Sequence, residues 1–254
     1  MKIYYFYRTK RKKALIAAAL SIPILFTSFL VLSLINGSRD SFNRPDTDII
    51  VIDPGHGGID GGASAGGFLE KEINLSVSLR LKKLLEEKGF KAVLTRDRDE
   101  SLESLGPDGG SRHQRDLAAR AAIINGTEAQ LFISIHVNSN VNNPRACGSI
   151  VYYGTKFKQS EVLAGCVQHS LNCLSSDEPR RDVHAAQTAG FFLFNNTGVP
   201  GILVETAFIT NRHEMQLLAD DEFRNRLAAS IAEGVLAYYE KLGLSKPEAA
   251  GKMN

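Results

Sequence analysis

Residues 48–61 read DIIVIDPGHGGIDG, and the stretch changes character halfway. Its first half is a short apolar run rich in β-branched side chains, the pattern of a strand buried on both faces. Its second half is a glycine-rich loop that ends the strand and carries His56. Working outward, EKEINLSVSLRLKKLLEEKG (70–89) sets Ile73, Val77, Leu81, Leu84 and Leu85 on one helical face, with Gly89 as the stop. FKAVLTR (90–96) predicts a second strand. Residues 97–111 form a charged, glycine-rich loop, and RHQRDLAARAAIIN (112–125) is a second helix. QLFISIHV (130–137) and GSIVYYG (148–154) read as strands. SEVLAGCVQHSLNCL (160–174) reads as a helix with Val162, Leu163, Cys166 and Val167 facing inward. GFFLF (190–194) and PGILVETAF (200–208) are further predicted strands. Asn211 and Glu214 suit a capping box for a short helix. DEFRNRLAASIAEGVLAYYEKLG (221–243) closes the pattern as a long helix with Phe223, Leu227 and Ile231 spaced by four.

Strands alternating with helices predict an α/β fold: a single domain with a mixed, mostly parallel β-sheet and helices on both faces. Such sheets bind ligands beyond the carboxyl ends of their strands. Three of those ends hold His56, His136 and Glu205. A His or Glu at the end of an apolar strand needs a partner, because burying a lone charge is costly. Glu70 opens the first helix and can fold back to the same rim. Two imidazoles and a carboxylate make a zinc set, leaving a fourth tetrahedral position for water. A second carboxylate can carry the proton that amide hydrolysis requires. The glycine-rich loop lacks the endings of the nucleotide-binding motifs, which argues against a phosphate site.

The net charge of +2 is unevenly placed. Residues 1–13 hold six of the 30 Lys/Arg and no acid, leaving 24 basic and 28 acidic residues beyond them. A mildly acidic domain gives no electrostatic reason to bind nucleic acid. The basic N-region leads into ALIAAALSIPILFTSFLVLSLI (14–35), a stretch without charge. As a helix it would span about 33 Å, enough to cross a bilayer. The order of charge and apolar stretch places the N-terminus in the cytoplasm and the remainder outside, membrane-anchored or secreted. No small-x-small cleavage site stands out, which favours an anchor over a cleaved signal peptide. Residues 36–47 read as a linker, 48–243 as the catalytic domain and 244–254 as a frayed tail. Cys147, Cys166 and Cys173 are an odd set, and the last two lie seven apart on one predicted helix, so all three read as packing residues rather than a disulfide framework.

The sequence resembles the zinc-dependent N-acetylmuramoyl-L-alanine amidases of the amidase-3 family. The resemblance rests on VIDPGHGGIDGGA, LEKEINL, LTRDRD, LAARAAIIN, FISIHVNS and PGILVETAFITN, which occur in the family's order over most of residues 48–240. It implies an enzyme that cuts the amide between N-acetylmuramic acid and L-alanine in peptidoglycan. It implies one zinc on His56, Glu70 and His136, with Glu205 as the catalytic carboxylate. Glu72 competes for the ligand position, and the LEK pairing favours Glu70. Asp53 either orients His56 or caps the glycine loop. Asn138 either meets substrate or positions its loop. Arg96 either pairs with a nearby carboxylate or meets glycan. His113, His169 and His213 read as ordinary helix residues, and His184 sits in the loosely matched groove region, where substrate contact is the lesser alternative. Two departures from the family pattern are Ala207, where glycine is usual, and RRDVHAAQTAGFFLFNN (180–196), which matches the groove-lining region loosely. Overall length, the lone apolar segment and PRACGSIVYYGTKF (144–157) are most similar to the germination-specific spore-cortex amidases, which act in muramic-lactam formation. Some members need an exported accessory protein, so that partner is an expectation too. The competing readings are a non-catalytic peptidoglycan-binding protein and a zinc peptidase acting on stem peptides. The intact site residues oppose the first, and the lack of an H-E-x-x-H helix opposes the second.

Overall fold

In the computed structural model the described residues are 47–176 and 181–244. The basic N-region, the apolar segment 14–35, most of the linker and the tail past residue 244 lie outside them. Among the described residues, no helix is long and apolar enough to cross a membrane.

A six-stranded sheet organises the domain. Its strands are β1 (Ile49–Pro54), β4 (Lys91–Leu94), β5 (Leu131–Asn138), β6 (Ile150–Tyr153), β7 (Gln187–Thr188) and β8 (Gly201–Phe208). Their spatial order is β4-β1-β5-β8-β6-β7, and a separate two-stranded ribbon pairs β2 (Ser64–Ala65) with β3 (Phe68–Leu69). β4, β1, β5 and β8 run parallel, and β6 is antiparallel to β8. The expected mixed, mostly parallel sheet is therefore present.

The helices are α1 (Glu70–Glu87), α2 (Arg112–Gly126), α3 (Lys158–Cys173), α4 (Phe192–Asn196), α5 (Arg212–Ala219) and α6 (Asp221–Lys241). α1, α3 and α6 cover one face of the sheet and supply the larger apolar core. Ile73, Val77, Leu81 and Leu85 of α1 recur every four residues and are almost fully buried there. Each contributes about 1.5–3 kcal/mol by leaving water. α2 and α4 cover the other face over a smaller core that includes Phe132, Phe194 and Leu203. α2 starts in a reciprocal cap, in which the Ser111 side chain accepts from Gln114 N and the Gln114 side chain accepts from Ser111 N.

Three local expectations need correction. GFFLF is no strand: residues 192–196 form the short helix α4. β8 already has β5 and β6 as neighbours, so this apolar run packs over the sheet face, with the Phe194 ring 6.2 Å from that of Phe132. On α3 the buried apolar side chains are Leu163, Ala164, Val167 and Leu171, while Val162 and Cys166 are only partly covered. Asn211 does cap α5, accepting from His213 N and Glu214 N, but Glu214 does not complete a box. Its carboxylate turns inward and accepts from Arg181, Gly148 N and Phe208 N. The three cysteines are free thiols.

Candidate metal centre

Strand alternation builds the site. Side chains two apart along a strand share a face. Phe132, Ser134 and His136 of β5 therefore line up on the α2 side, and the register sets Asp53 beside Ser134 and Glu205 beside His136. That face is apolar at the start of the strands and polar at their carboxyl ends. His56 stands two residues past the end of β1, and Glu70 is the first residue of α1.

His56, Glu70 and His136 each present a ligand atom, and these atoms all lie within 4.8 Å of one another. Glu70 Oε1 stands 3.2 Å from His56 Nε2 and 3.0 Å from His136 Nδ1. Main-chain groups fix the carboxylate: Ala63 N donates to Oε2, and Val137 N donates to Oε1. Glu72 is not part of the cluster. His136 lies flat against the loop after β1, because Gly55 has no Cβ. A methyl there would stand 2.3 Å from His136 Nε2.

His56 adopts a left-handed backbone, φ 60°, which costs a non-glycine residue roughly 1–2 kcal/mol. Two guanidinium groups offset that strain. Arg96 Nε and Arg120 Nη2 both donate to His56 O at 2.7 Å. The His56 ring donates from Nδ1 to Asp60 Oδ2 at 2.8 Å. Burial alone would lower this imidazole's pKa. The hydrogen bond and charge of Glu70, then those of Asp60, outweigh burial and raise it to about 9. Burial pushes Glu70 upward, but the two imidazoles hold it well below the usual carboxylate range.

Glu205 is different. Its Oε2 is buried and has no hydrogen-bond partner. Burial pushes its carboxyl up to about 7 against the pull of His136. A cavity of about 230 Å³ opens between Glu205, His56 and His136, walled by Phe191 and Phe192 and rimmed by Asp60 and His113.

The remaining site candidates sit around this centre. Asp53 does not touch the His56 ring. It accepts from Thr95 Oγ1, Ser134 Oγ and Arg120 Nη1, and Arg120 in turn holds Pro54 O and His56 O. Arg96 hydrogen-bonds main-chain carbonyls only, at Pro54, Gly55, His56, Lys71 and Arg98. Asn138 ends β5 half-buried, with Oδ1 accepting from Ser139 N. His184 donates to Cys147 O, away from the cluster. Sequence reasoning passed over Asp60 and Arg120, read His113 as an ordinary helix residue although it reaches the cavity rim, and gave Phe191 and Phe192 to a strand in the groove-lining stretch. Asp60 carried a signal, since it lies four residues after His56 in the same loop.

Residues 50–237 match the family model described as N-acetylmuramoyl-L-alanine amidase. The germination-specific N-acetylmuramoyl-L-alanine amidase of Bacillus subtilis is 37% identical over 196 residues, covering 77% of this chain and 81% of that protein. The amidase AmiA of Escherichia coli is 30% identical over 233 residues, covering 75% and 76% respectively. Among solved structures, the CwlD amidase from Clostridioides difficile, in complex with the GerS lipoprotein, superposes with a TM-score of 0.70. It is 29% identical and covers 76% of this chain and 98% of its own. The match over 50–237 contains all four of His56, Glu70, His136 and Glu205. The chain belongs to the amidase-3 family and is an N-acetylmuramoyl-L-alanine amidase, an enzyme acting on peptidoglycan.

Proposed function

We propose that this amidase is a zinc enzyme of the spore cortex, with His56, Glu70 and His136 holding the metal and Glu205 carrying the proton. The observation that supports the metal most is convergence. Three ligand atoms from three separate elements lie within 4.8 Å of one another, beside a buried carboxylate oxygen that has no partner. Two imidazoles and one carboxylate fit zinc, with a position left open for reacting groups. Zinc held there supplies Lewis acidity, which polarises a carbonyl and lowers the pKa of water toward ~7.

The chain's own groups do the rest. Asp60 and the two guanidinium groups hold His56 in its strained conformation. Glu205 takes a proton from the attacking water and returns it to the leaving nitrogen. A C–O bond forms at the lactyl carbonyl of muramic acid and the C–N bond to alanine breaks. The products are a muramyl carboxylate and a stem peptide with a free L-Ala amine. Phe191 and Phe192 wall the approach and limit water at the reacting centre.

The catalytic domain is assigned to residues 48–243, exported behind the basic and apolar N-terminal segment, which serves as anchor or signal peptide. The likeness to a germination-specific amidase supports a spore-cortex substrate. The lipoprotein bound to the CwlD neighbour supports an exported accessory protein for this chain as well.

The test is mass spectrometry of muropeptides after digestion of cortex and vegetative peptidoglycan with the chain and zinc. Stems with free L-Ala amines, produced faster from cortex and absent both with Glu205→Gln and after chelation, are the expected result. Full activity after exhaustive removal of zinc would reject the metal. Equal rates on both substrates would reject the cortex assignment.

A further inference from the structure

The zinc reading places two ligands on separate elements: His56 on the loop after β1, and Glu70 on the first turn of α1. Resting on that reading, we infer that Arg96, with Lys71 at its edge, is a positioning residue that locks these two segments together so that His56 and Glu70 stand at ligand distance before the metal arrives.

The buried arginines of this fold make the contrast. Arg120 is paired with Asp53 and Asp116, and Arg181 with Glu214. Each has a carboxylate partner, although Arg120 also donates to Pro54 O and His56 O on the β1 side, and neither reaches the α1 segment that carries Glu70. Arg96 is as deeply buried, 2% exposed, yet all its hydrogen bonds go to main-chain carbonyls. Nε donates to Pro54 O and His56 O. Nη2 donates to Gly55 O and Lys71 O, each at 3.0 Å. Four of the five carbonyls therefore belong to the two ligand-bearing segments, and one nitrogen bridges them directly. The planar guanidinium fixes the angles between its donors, so the bridge sets geometry as well as distance.

Lys71 ties the same segments from the other side. Its Nζ donates to Gly58 O at 2.7 Å and reaches Asp99 Oδ2 at 2.8 Å. The loop returns the contact through Gly61 O, which accepts from Lys71 N, and Ala63 O, which accepts from Glu70 N. Loss of the clamp leaves His56 and Glu70 chemically intact but frees the spacing between them. The cost then falls on metal affinity, in the range of about 10–100-fold usual for outer partners of metal ligands.

The experiment is a zinc titration of the full-length chain against a chromophoric chelator, with metal-free melting temperatures measured in parallel. The proteins are wild type, Arg96→Lys, Arg96→Gln and Lys71→Met. The expected result is zinc bound about 10–100-fold more weakly by both Arg96 variants at a temperature where they are fully folded. Lysine gives no rescue, since one ammonium cannot reach five carbonyls. Lys71→Met weakens zinc binding several-fold with its melting temperature unchanged. Wild-type affinity in folded Arg96 variants, whatever their melting temperatures, overturns the inference while leaving the zinc reading intact. If both Arg96 variants fail to fold, Lys71→Met decides, and an unchanged affinity there overturns it. A wild-type chain that binds no zinc overturns the zinc reading itself.

Discussion

Glu205 carries a stability cost that the nearby imidazoles relieve only in part, because Oε2 is buried without a hydrogen-bond partner. Glu205→Gln keeps shape and removes charge. It is expected to cut kcat by about 10²–10⁴-fold, the usual share of a general acid–base group. Zinc content and fold should persist, and metal-free stability should rise by about 1 kcal/mol, since a charge no longer has to be buried. Thermal melts beside steady-state rates check both halves, and a variant that lost zinc along with activity would make Glu205 a ligand instead. Asp60 acts one step further out, by orienting the His56 ring. Asp60→Ala is expected to weaken zinc binding by about 10-fold, read by chelator competition. His56, His136 and Glu205 were legible in the sequence because each stands at the end of an apolar run, where a polar side chain needs a reason. Arg120 was not. Four residues after Asp116 on a helix, it looks like half of a surface ion pair. Its burial depends on Asp53, 67 positions away in sequence.

Among elements, the long helices and parallel strands could be read from periodicity, and the short pieces could not. GFFLF is apolar at four consecutive positions, which fits strand or helix equally. The choice falls to the sheet, where β8 offers no free edge. Glu214 shows the same limit. Its spacing from Asn211 satisfies a capping rule, yet a buried guanidinium draws it inward. Arg181 and Glu214 together bind Ser149, Thr206 O, Gly148 N and Phe208 N, and so fasten α5 and the chain before β6 to the end of β8. Arg181→Met strands the Glu214 carboxylate without its charge partner and is expected to cost about 3–5 kcal/mol. Adding Glu214→Gln should recover part of that loss. A double-mutant cycle in urea measures the coupling, and a coupling near zero would show that the pair holds nothing together.

At the scale of the molecule, the two faces of the sheet divide the work. The larger core under α1, α3 and α6 holds the domain, while the smaller core under α2 and α4 gives way to the site at the strands' carboxyl ends. Asp53 sits where that change occurs, joined to Thr95 after β4, Ser134 on β5 and Arg120 on α2. Burial alone would raise its carboxyl, but the Arg120 charge and the two hydroxyl donors hold it below the usual 3.8. A carboxyl whose pKa falls on folding adds stability that is fully present above 3.8 and is lost as pH drops through its folded value. Asp53→Asn removes that contribution at every pH and leaves Asp116 as the carboxylate paired with Arg120. At neutral pH the variant is expected to be less stable by about 3–5 kcal/mol. The gap to the wild-type chain should then narrow below about pH 4, where Asp53 of the unfolded wild-type chain begins to take up a proton that the folded chain still resists. Urea unfolding of the two metal-free proteins, from neutrality down to about pH 3, gives the comparison. A gap that stays constant across that range would mean that Asp53 is not held ionised by Arg120, and that acid loosens the domain elsewhere.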